Sequence, residues 1–430
     1  MQPNTQSRLP AFLVPYLQLP QSIHILFLAQ IINAAGNFIA PFLTLLLSDK
    51  LGMKTEQVGF FVMLSLLAQM PGMVIGGKLA DHFNRKSILV GAQALAAIFL
   101  LGCALIPDPH FIPWFLIASN LFGGAVRPVS NALIADLTDV SNRQTAFSLT
   151  YLGINLGCAL GPMIAGFLFQ KHTFWLFIGD AVTTLTAVFL VALLVKERDR
   201  KTSIAHPEHS ALIHPDEQAE SGPFWQVMGK RPYLTAMTLL LSVFSFVYSQ
   251  HSFALPLDLT QKFGHASPEV FGMLCMVNAL VVVFCTTVVI WLTRRIQPLQ
   301  CIGLAGLFYA CGFGMYFFTQ SIPWFIVATV IWTIGEVLTV THNGVYIACH
   351  APVSHRARFN ALQTFSYGVG NCLGPVLMGK FITVHGLSAV WTLTFFLGCA
   401  GAAAMYGIGF LEQKNCVENE QNGLAVHGSE

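Results

Sequence analysis

Charge is what this 430-residue chain has least of: Asp, Glu, Lys and Arg together make 10% of it, against 54% hydrophobic residues and a mean hydropathy of +0.63. So sparse a charge complement cannot cover a water-soluble surface, and most of the chain is expected to be solvated by lipid tails. Runs of about ten residues that alternate apolar and polar are also missing, which excludes a membrane barrel and leaves helices that satisfy their own backbones. The first twenty residues contain Pro3, Pro10, Pro15 and Pro20 but no A-x-A cleavage site, so the first span is expected to stay as an uncleaved anchor. The ten cysteines suggest no disulfide framework, since Cys103, Cys158, Cys275, Cys285, Cys301, Cys311, Cys372 and Cys399 fall in apolar stretches where a thiol is a small apolar group. A net charge of +2 gives no reason to expect a nucleic-acid partner.

Crossing about 30 Å of hydrocarbon takes roughly 20 apolar residues in a helix. Twelve such windows lie near 24–47, 57–78, 87–106, 112–136, 145–169, 174–195, 233–257, 269–292, 300–318, 322–347, 359–382 and 389–411. The expected organisation is an N-terminal segment (1–20), a six-helix bundle (21–195), a linker (196–232), a second six-helix bundle (233–412) and a tail (413–430). With the N-terminus inside, one face collects Arg8, Lys78, Arg85, Lys86, Arg143, Lys196, Arg198, Arg200, Lys201, Lys230, Arg231, Arg294, Arg295, Arg356, Arg358 and Lys414, and the other only Lys50, Lys54, Lys171, Lys262 and Lys380. That asymmetry puts both termini in the cytoplasm of a multi-pass protein, expected in a bacterial inner membrane. The linker's His206, Glu208, His209, His214 and Asp216 are loosely spaced and interrupted by prolines. A solvated loop is expected there, with no metal and no cofactor.

The two halves repeat each other. Val140-Ser-Asn-Arg143 recurs as Val353-Ser-His-Arg356, Gly157-x3-Gly161-Pro162-x3-Gly166 as Gly370-x3-Gly374-Pro375-x3-Gly379, and Ile112-Pro-Trp-Phe115 as Ile322-Pro-Trp-Phe325. Two fused, similar bundles are how many secondary transporters are built.

Between spans two and three runs Gly77-Lys-Leu-Ala-Asp81-His-Phe-Asn-Arg85-Lys86, which resembles the signature loop of the major facilitator superfamily. Asn84 stands where the family pattern has Gly, and its tolerance of left-handed backbone is expected to preserve the turn. The resemblance implies two pseudo-symmetric six-helix bundles, all α-helical. It also implies a cytoplasmic gate of Gly77, Asp81, Arg85, Lys86 and Arg143, with Asp81 latching the bundles against the start of span eleven and Asp136 close to Arg143. Span five's Gly157, Gly161, Pro162 and Gly166 resemble the antiporter motif of the drug:proton antiporter branch, with Ala165 replacing one glycine. A packing seam explains the same residues, because glycines at every fourth position let helices approach closely. The R-x2-Q-G stretch of the family's span four is missing. Gly72-Met-Val-Ile-Gly-Gly77-Lys78 mimics a phosphate-binding loop, but Leu79 replaces the Ser or Thr and no strand precedes it, so ATP binding is rejected.

Polar residues at helical spacing mark faces turned away from lipid. Gln30, Asn33 and Asn37 form such a row in span one, Asn120, Arg127 and Asn131 in span four, and Ser148, Tyr151 and Asn155 in span five. Tyr248 and Gln250 in span seven, Thr333, Glu336, Thr339 and Asn343 in span ten, and Gln363, Tyr367 and Asn371 in span eleven continue the set. These are spans that the resemblance implies line a cavity, although interhelical hydrogen bonding accounts for any single residue. Counted at about 1.5 Å per residue from the matched tryptophans, Arg127 and Glu336 lie roughly 20 and 18 Å into their spans. A charge there costs at least about 2.5 kcal/mol, so each needs water, a counter-ion or cargo. Glu336 can take up a proton, Arg127 cannot lose one, and His251 is a second proton-carrier candidate, with a buried structural role open for it as well. Asp180 is expected near the outer interface.

The expected function is proton-coupled efflux of lipophilic or amphipathic small molecules by a monomer, with protons and the lipid bilayer as its other partners. Two other readings stay open: a proton-coupled importer, although span one lacks the acid of peptide symporters, and a non-transporting receptor or scaffold. An enzyme is disfavoured because no nucleophile–base pair or metal cluster converges at one depth.

Overall fold

The computed structural model describes residues 14–196, 222–352 and 354–427. Arg8, Val353, most of the linker and its His206, Glu208, His209, His214 and Asp216 lie outside that range. Among the described residues nine stretches are long and apolar enough to cross a membrane. One of them, Pro232–Thr293, is two passes, folded as Pro232–Tyr248, Ala254–Phe263 and Ser267–Thr293. Spans four and eleven, Ile112–Leu137 and Arg356–His385, are helices of 26 and 30 residues that their polar rows make too hydrophilic for that threshold. At 1.5 Å per residue they reach about 39 and 45 Å, long enough to cross. All twelve expected passes are therefore helical. Helix also extends beyond the expected spans, as Phe224–Lys230 within the linker and through the tail in Ser388–His427.

Spans one and seven, expected to be continuous, are both broken. Span one runs Gln21–Ala35, leaves the helix at Gly36–Phe38, and resumes as Ile39–Leu45 with a wide turn over Leu46–Lys50. Span seven runs Pro232–Tyr248, tightens at Ser249–His251, and resumes at Ala254. In span seven the polar side chains compete with the ladder: Ser249 Oγ and Gln250 Nε2 donate to Phe246 O at 2.8 and 3.0 Å. Each second piece carries a proline in its first turn, Pro41 and Pro256, where the missing N–H costs nothing.

The chain divides into two compact units. The first holds Met1–Met53, Leu64–Pro207 and Phe263–Ala279, and the second Lys54–Met63, Glu208–Lys262 and Leu280–Glu430. One core cluster of the first unit is aliphatic, with Ile23 and Leu26 of span one, Val129 and Leu133 of span four and Val191 of span six, and Phe42, Phe169 and Phe271 form a buried aromatic group in the same unit. In the second unit the largest buried side chains are aromatic. Phe313 stacks on Trp332 at 5.4 Å, and Tyr316 meets Phe325 and Trp391 at 5.1 and 5.0 Å.

Candidate functional site

At the Gly77–Lys86 turn, Asn84 is not left-handed. It has φ −63° and ψ 120°, and its side chain accepts from Ser87 N at 2.9 Å, so Asn replaces the family glycine here as the N-cap of span three. Arg85 Nη1 donates to Asp136 Oδ1 at 2.6 Å and to Ala132 O at 2.7 Å, joining spans three and four. Arg143 donates to the backbone oxygens Ala135 O (3.2 Å) and Thr138 O (3.4 Å) that close span four, on either side of Asp136 in the chain. Lys86 Nζ donates to Val195 O at 2.8 Å, where span six ends. Both are cations at helix C-termini, where the dipole favours them. Asp81 is exposed in the last turn of span two, and a side chain on Gly77 would meet open space.

The glycines of span five pack closely. Side chains on Gly157 and Gly161 would press on Ala34 and Ala35 of span one, to within 2.5 Å of Ala34 Cβ and 2.8 Å of Ala35 O. A Cβ on Gly166 would stand 2.6 Å from Pro268 O, and one on Gly272 would collide with Pro162 O. The second unit repeats the arrangement, with Gly59 on Pro375 O and Gly379 on Thr55 O. Pro162 and Pro375 thus lie in packing seams, each offering its carbonyl to a glycine.

The polar rows divide into exposed and buried residues. In the first unit Asn37, Arg127, Asn131 and Tyr151 are exposed, and Arg127 has no ion-pair partner among the described residues. Gln30 Nε2 donates to Ser130 Oγ at 3.2 Å, and Asn120 Oδ1 accepts from Gln69 at 3.0 Å. Asn33 is half-buried, and Asn155 donates to Tyr151 O within its own helix at 2.9 Å. In the second unit Gln250, Thr333 and Asn343 were expected to line a cavity but are buried, at 0%, 0% and 5% exposure. They hide from lipid among helices, because a polar row avoids hydrocarbon equally well in either place. Thr333 Oγ1 donates to Thr329 O at 2.6 Å, and Gln363 and Asn371 are half-buried beside the exposed Tyr367.

Glu336 sits in an aromatic cage within the second unit. Tyr248 Oη donates to Glu336 Oε1 at 2.9 Å. The Tyr248 ring lies 4.4 Å from His251, 5.9 Å from Trp332 and 6.2 Å from Tyr309. His251 Nδ1 is 2.6 Å from Tyr248 O, so that nitrogen carries the hydrogen and Nε2 is its second site. Trp332 Nε1 donates to Tyr316 Oη at 2.9 Å, which anchors this wall of the cage. Sequence reasoning missed Trp332 and Tyr309. Trp332 is one helical turn before Glu336 and was within reach of a helical count, whereas nothing local distinguishes Tyr309 from the apolar run around it.

Asp180 is 7% exposed, and its Oδ2 accepts from Phe38 N and Ile39 N at 3.1 and 3.2 Å, where span one is broken.

The family described as the Major Facilitator Superfamily matches residues 26–375 and again 252–415. Among similar proteins, a Na(+), Li(+), K(+)/H(+) antiporter of Planococcus maritimus is 23% identical, over 84% of this chain and 92% of its own. Multidrug resistance protein 1 of Bacillus subtilis (strain 168) is 25% identical over 53% of this chain and 55% of its own. Among solved structures, a peptide transporter POT in complex with sulfate superposes with a TM-score of 0.73 at 16% identity, covering 91% of this chain and 96% of that one, a likeness of fold.

Proposed function

The chain belongs to the Major Facilitator Superfamily, and from that premise, which makes it a multi-pass membrane transporter, we propose that it exports lipophilic or amphipathic small molecules in exchange for protons by alternating access. The observation that carries this reading is the cage of Glu336. The Tyr248 hydroxyl donates to the Glu336 carboxylate and stabilises its ionised form, while the membrane setting penalises that charge by at least about 2.5 kcal/mol. It takes up a proton when its surroundings dry and releases it when water enters. Tyr248, His251, Trp332 and Tyr309 supply apolar faces with polar edges, a wall suited to cargo of mixed character.

Arg127, exposed within the first unit, holds an anionic part of the cargo. His251 relays a proton through Nε2. Asp81, with Gly77, Arg85, Lys86 and Arg143, forms the cytoplasmic gate, in an orientation with both termini in the cytoplasm of a bacterial inner membrane. The antiporter and the multidrug resistance protein among its relatives support the proton exchange and the breadth of cargo.

Proteoliposomes with an imposed proton gradient test the proposal. Adding a lipophilic substrate is expected to dissipate the gradient with opposite movement of solute and protons. Glu336→Gln is expected to abolish gradient-driven flux while leaving solute–solute exchange. Co-movement of solute and protons would make the protein an importer, and driven flux surviving in the variant would remove Glu336 from the coupling.

A further inference from the structure

Asp180 is a buried acid to which the exchange mechanism gives no task. Its carboxylate accepts two hydrogen bonds, from Phe38 N at the end of the break in span one and from Ile39 N at the start of the second piece. In an unbroken helix those amides would donate four residues back, to Ala34 O and Ala35 O. Ala34 O instead accepts from Asn37 N at 3.3 Å, and Phe38 N also approaches Gly36 O at 2.7 Å. One turn of span six is shaped around this break. The Thr183 side chain fills the space that a side chain on Gly36 would need, and a Cβ on Gly179 would stand 2.7 Å from the Phe38 ring. The Thr183 hydroxyl turns back to Gly179 O and Asp180 O, at 2.8 and 3.0 Å, and does not compete for the amides.

No cation answers the carboxylate. Titratable groups on span one are His24, Asp49 and Lys50, and on span three Arg85, Lys86 and Cys103. Span five and the turn after it add Arg143, Tyr151, Cys158, Lys171 and His172. Among the described residues none of these hydrogen-bonds or pairs with Asp180. Two N–H dipoles at the start of a helix hold the negative charge, and such bonds are roughly twice as strong to an ionised acceptor as to a neutral one.

The geometry points to Asp180 as a positioning residue of the transport cycle: as a carboxylate it clamps the break at Gly36–Phe38, and protonation loosens that clamp and frees the two pieces of span one to reorient Asn33 against Asn37. One proton from the aqueous phase adds to one carboxylate oxygen, no covalent bond breaks, and two N–H···O bonds weaken. The inference rests on the transport reading for its purpose but not for its test.

Hydrogen–deuterium exchange of peptides covering residues 34–42, measured on the intact protein without substrate or gradient from pH 5 to pH 8.5 and corrected for intrinsic exchange, reads the clamp directly. In the wild type, protection at Phe38 and Ile39 is expected to fall about tenfold from the alkaline to the acidic end, the difference between a charged and a neutral acceptor. Asp180→Asn is expected to hold the acidic level at every pH, and Glu336→Gln to follow the wild type. Protection in the wild type that does not change with pH would overturn the clamp, and this measurement needs no variant to fold. An Asp180→Asn protein that tracks the wild-type pH series would overturn it equally. Failure of proton-coupled export would show in flux and leave this readout unmoved.

Discussion

The two units share a backbone design and differ in how they hold their broken helix. In the first unit the break in span one is held by a carboxylate from span six, Asp180. In the second the break in span seven is held by side chains of the break itself: His251 bonds back to Tyr248 O, and Gln250 Nε2 bonds back to Phe246 O and to Ser249 Oγ at 2.9 Å. The ionisable group there lies on span ten, as Glu336, and the break delivers Tyr248 to it. The repeat therefore preserves what the backbone must do and leaves the polar chemistry free to diverge. Even the lysines at the far ends agree. Lys50 donates to Gln170 O and lies 5.2 Å over Phe169, and Lys262 donates to Tyr316 O and lies 5.2 Å over Phe325. Only Lys262 has a buried partner, Asp258 at 2.9 Å.

The sharpest way to break the comparison is to exchange the acids' roles. Glu336→Gln should remove gradient-driven flux altogether, measured in proteoliposomes, whereas Asp180→Asn should leave driven flux detectable with an altered pH profile; equal loss from both would erase the distinction drawn between them. Next in size are the matched seams. Gly59→Ala and Gly272→Ala each drive a methyl into a proline carbonyl and should destabilise by similar amounts, about 1–3 kcal/mol, read as a lowered midpoint of thermal unfolding in detergent. A large effect in one and none in the other would show that the seams are not equivalent. Tyr248→Phe removes the hydroxyl on Glu336 while keeping the ring and should slow driven flux about tenfold, the size of a hydrogen bond to a charged group. The smallest effect belongs to the loop after span three. There the Asp108 carboxyl is held below the usual carboxylate range by the His110 amide and then by the His110 ring. A depressed acid contributes stability above its ordinary range and loses it as pH falls through the lowered value. Because Asp108 is fully exposed, Asp108→Asn should shift the unfolding midpoint barely at pH 7 and not at all under strongly acidic conditions.

Parts of the site were legible because they depend on local pattern. The Gly77–Lys86 turn stood out through its resemblance to a family loop, the glycine seam was one of two readings of the span-five motif, and the polar rows of spans four and eleven could be read from helical spacing. The Asn84 cap was misread, since Asn serves both a left-handed turn and an N-cap and only φ and ψ decide between them. Gln250, Thr333 and Asn343 were read as facing a cavity or bonding between helices, and they are buried. Helical periodicity reports which face avoids lipid, but the same face is produced by a cavity and by a neighbouring helix.

Apolar length, the scarcity of charge and the internal repeat determine by themselves that this chain is a bundle of membrane helices in two related halves, because each crossing helix satisfies its backbone without help from distant residues. Where spans one and seven break, and which groups gather there, only the tertiary structure decided. A break leaves amides to be satisfied by whatever the fold brings near, and Asp180 reaches Phe38 and Ile39 across 142 and 141 residues of chain that no local pattern connects.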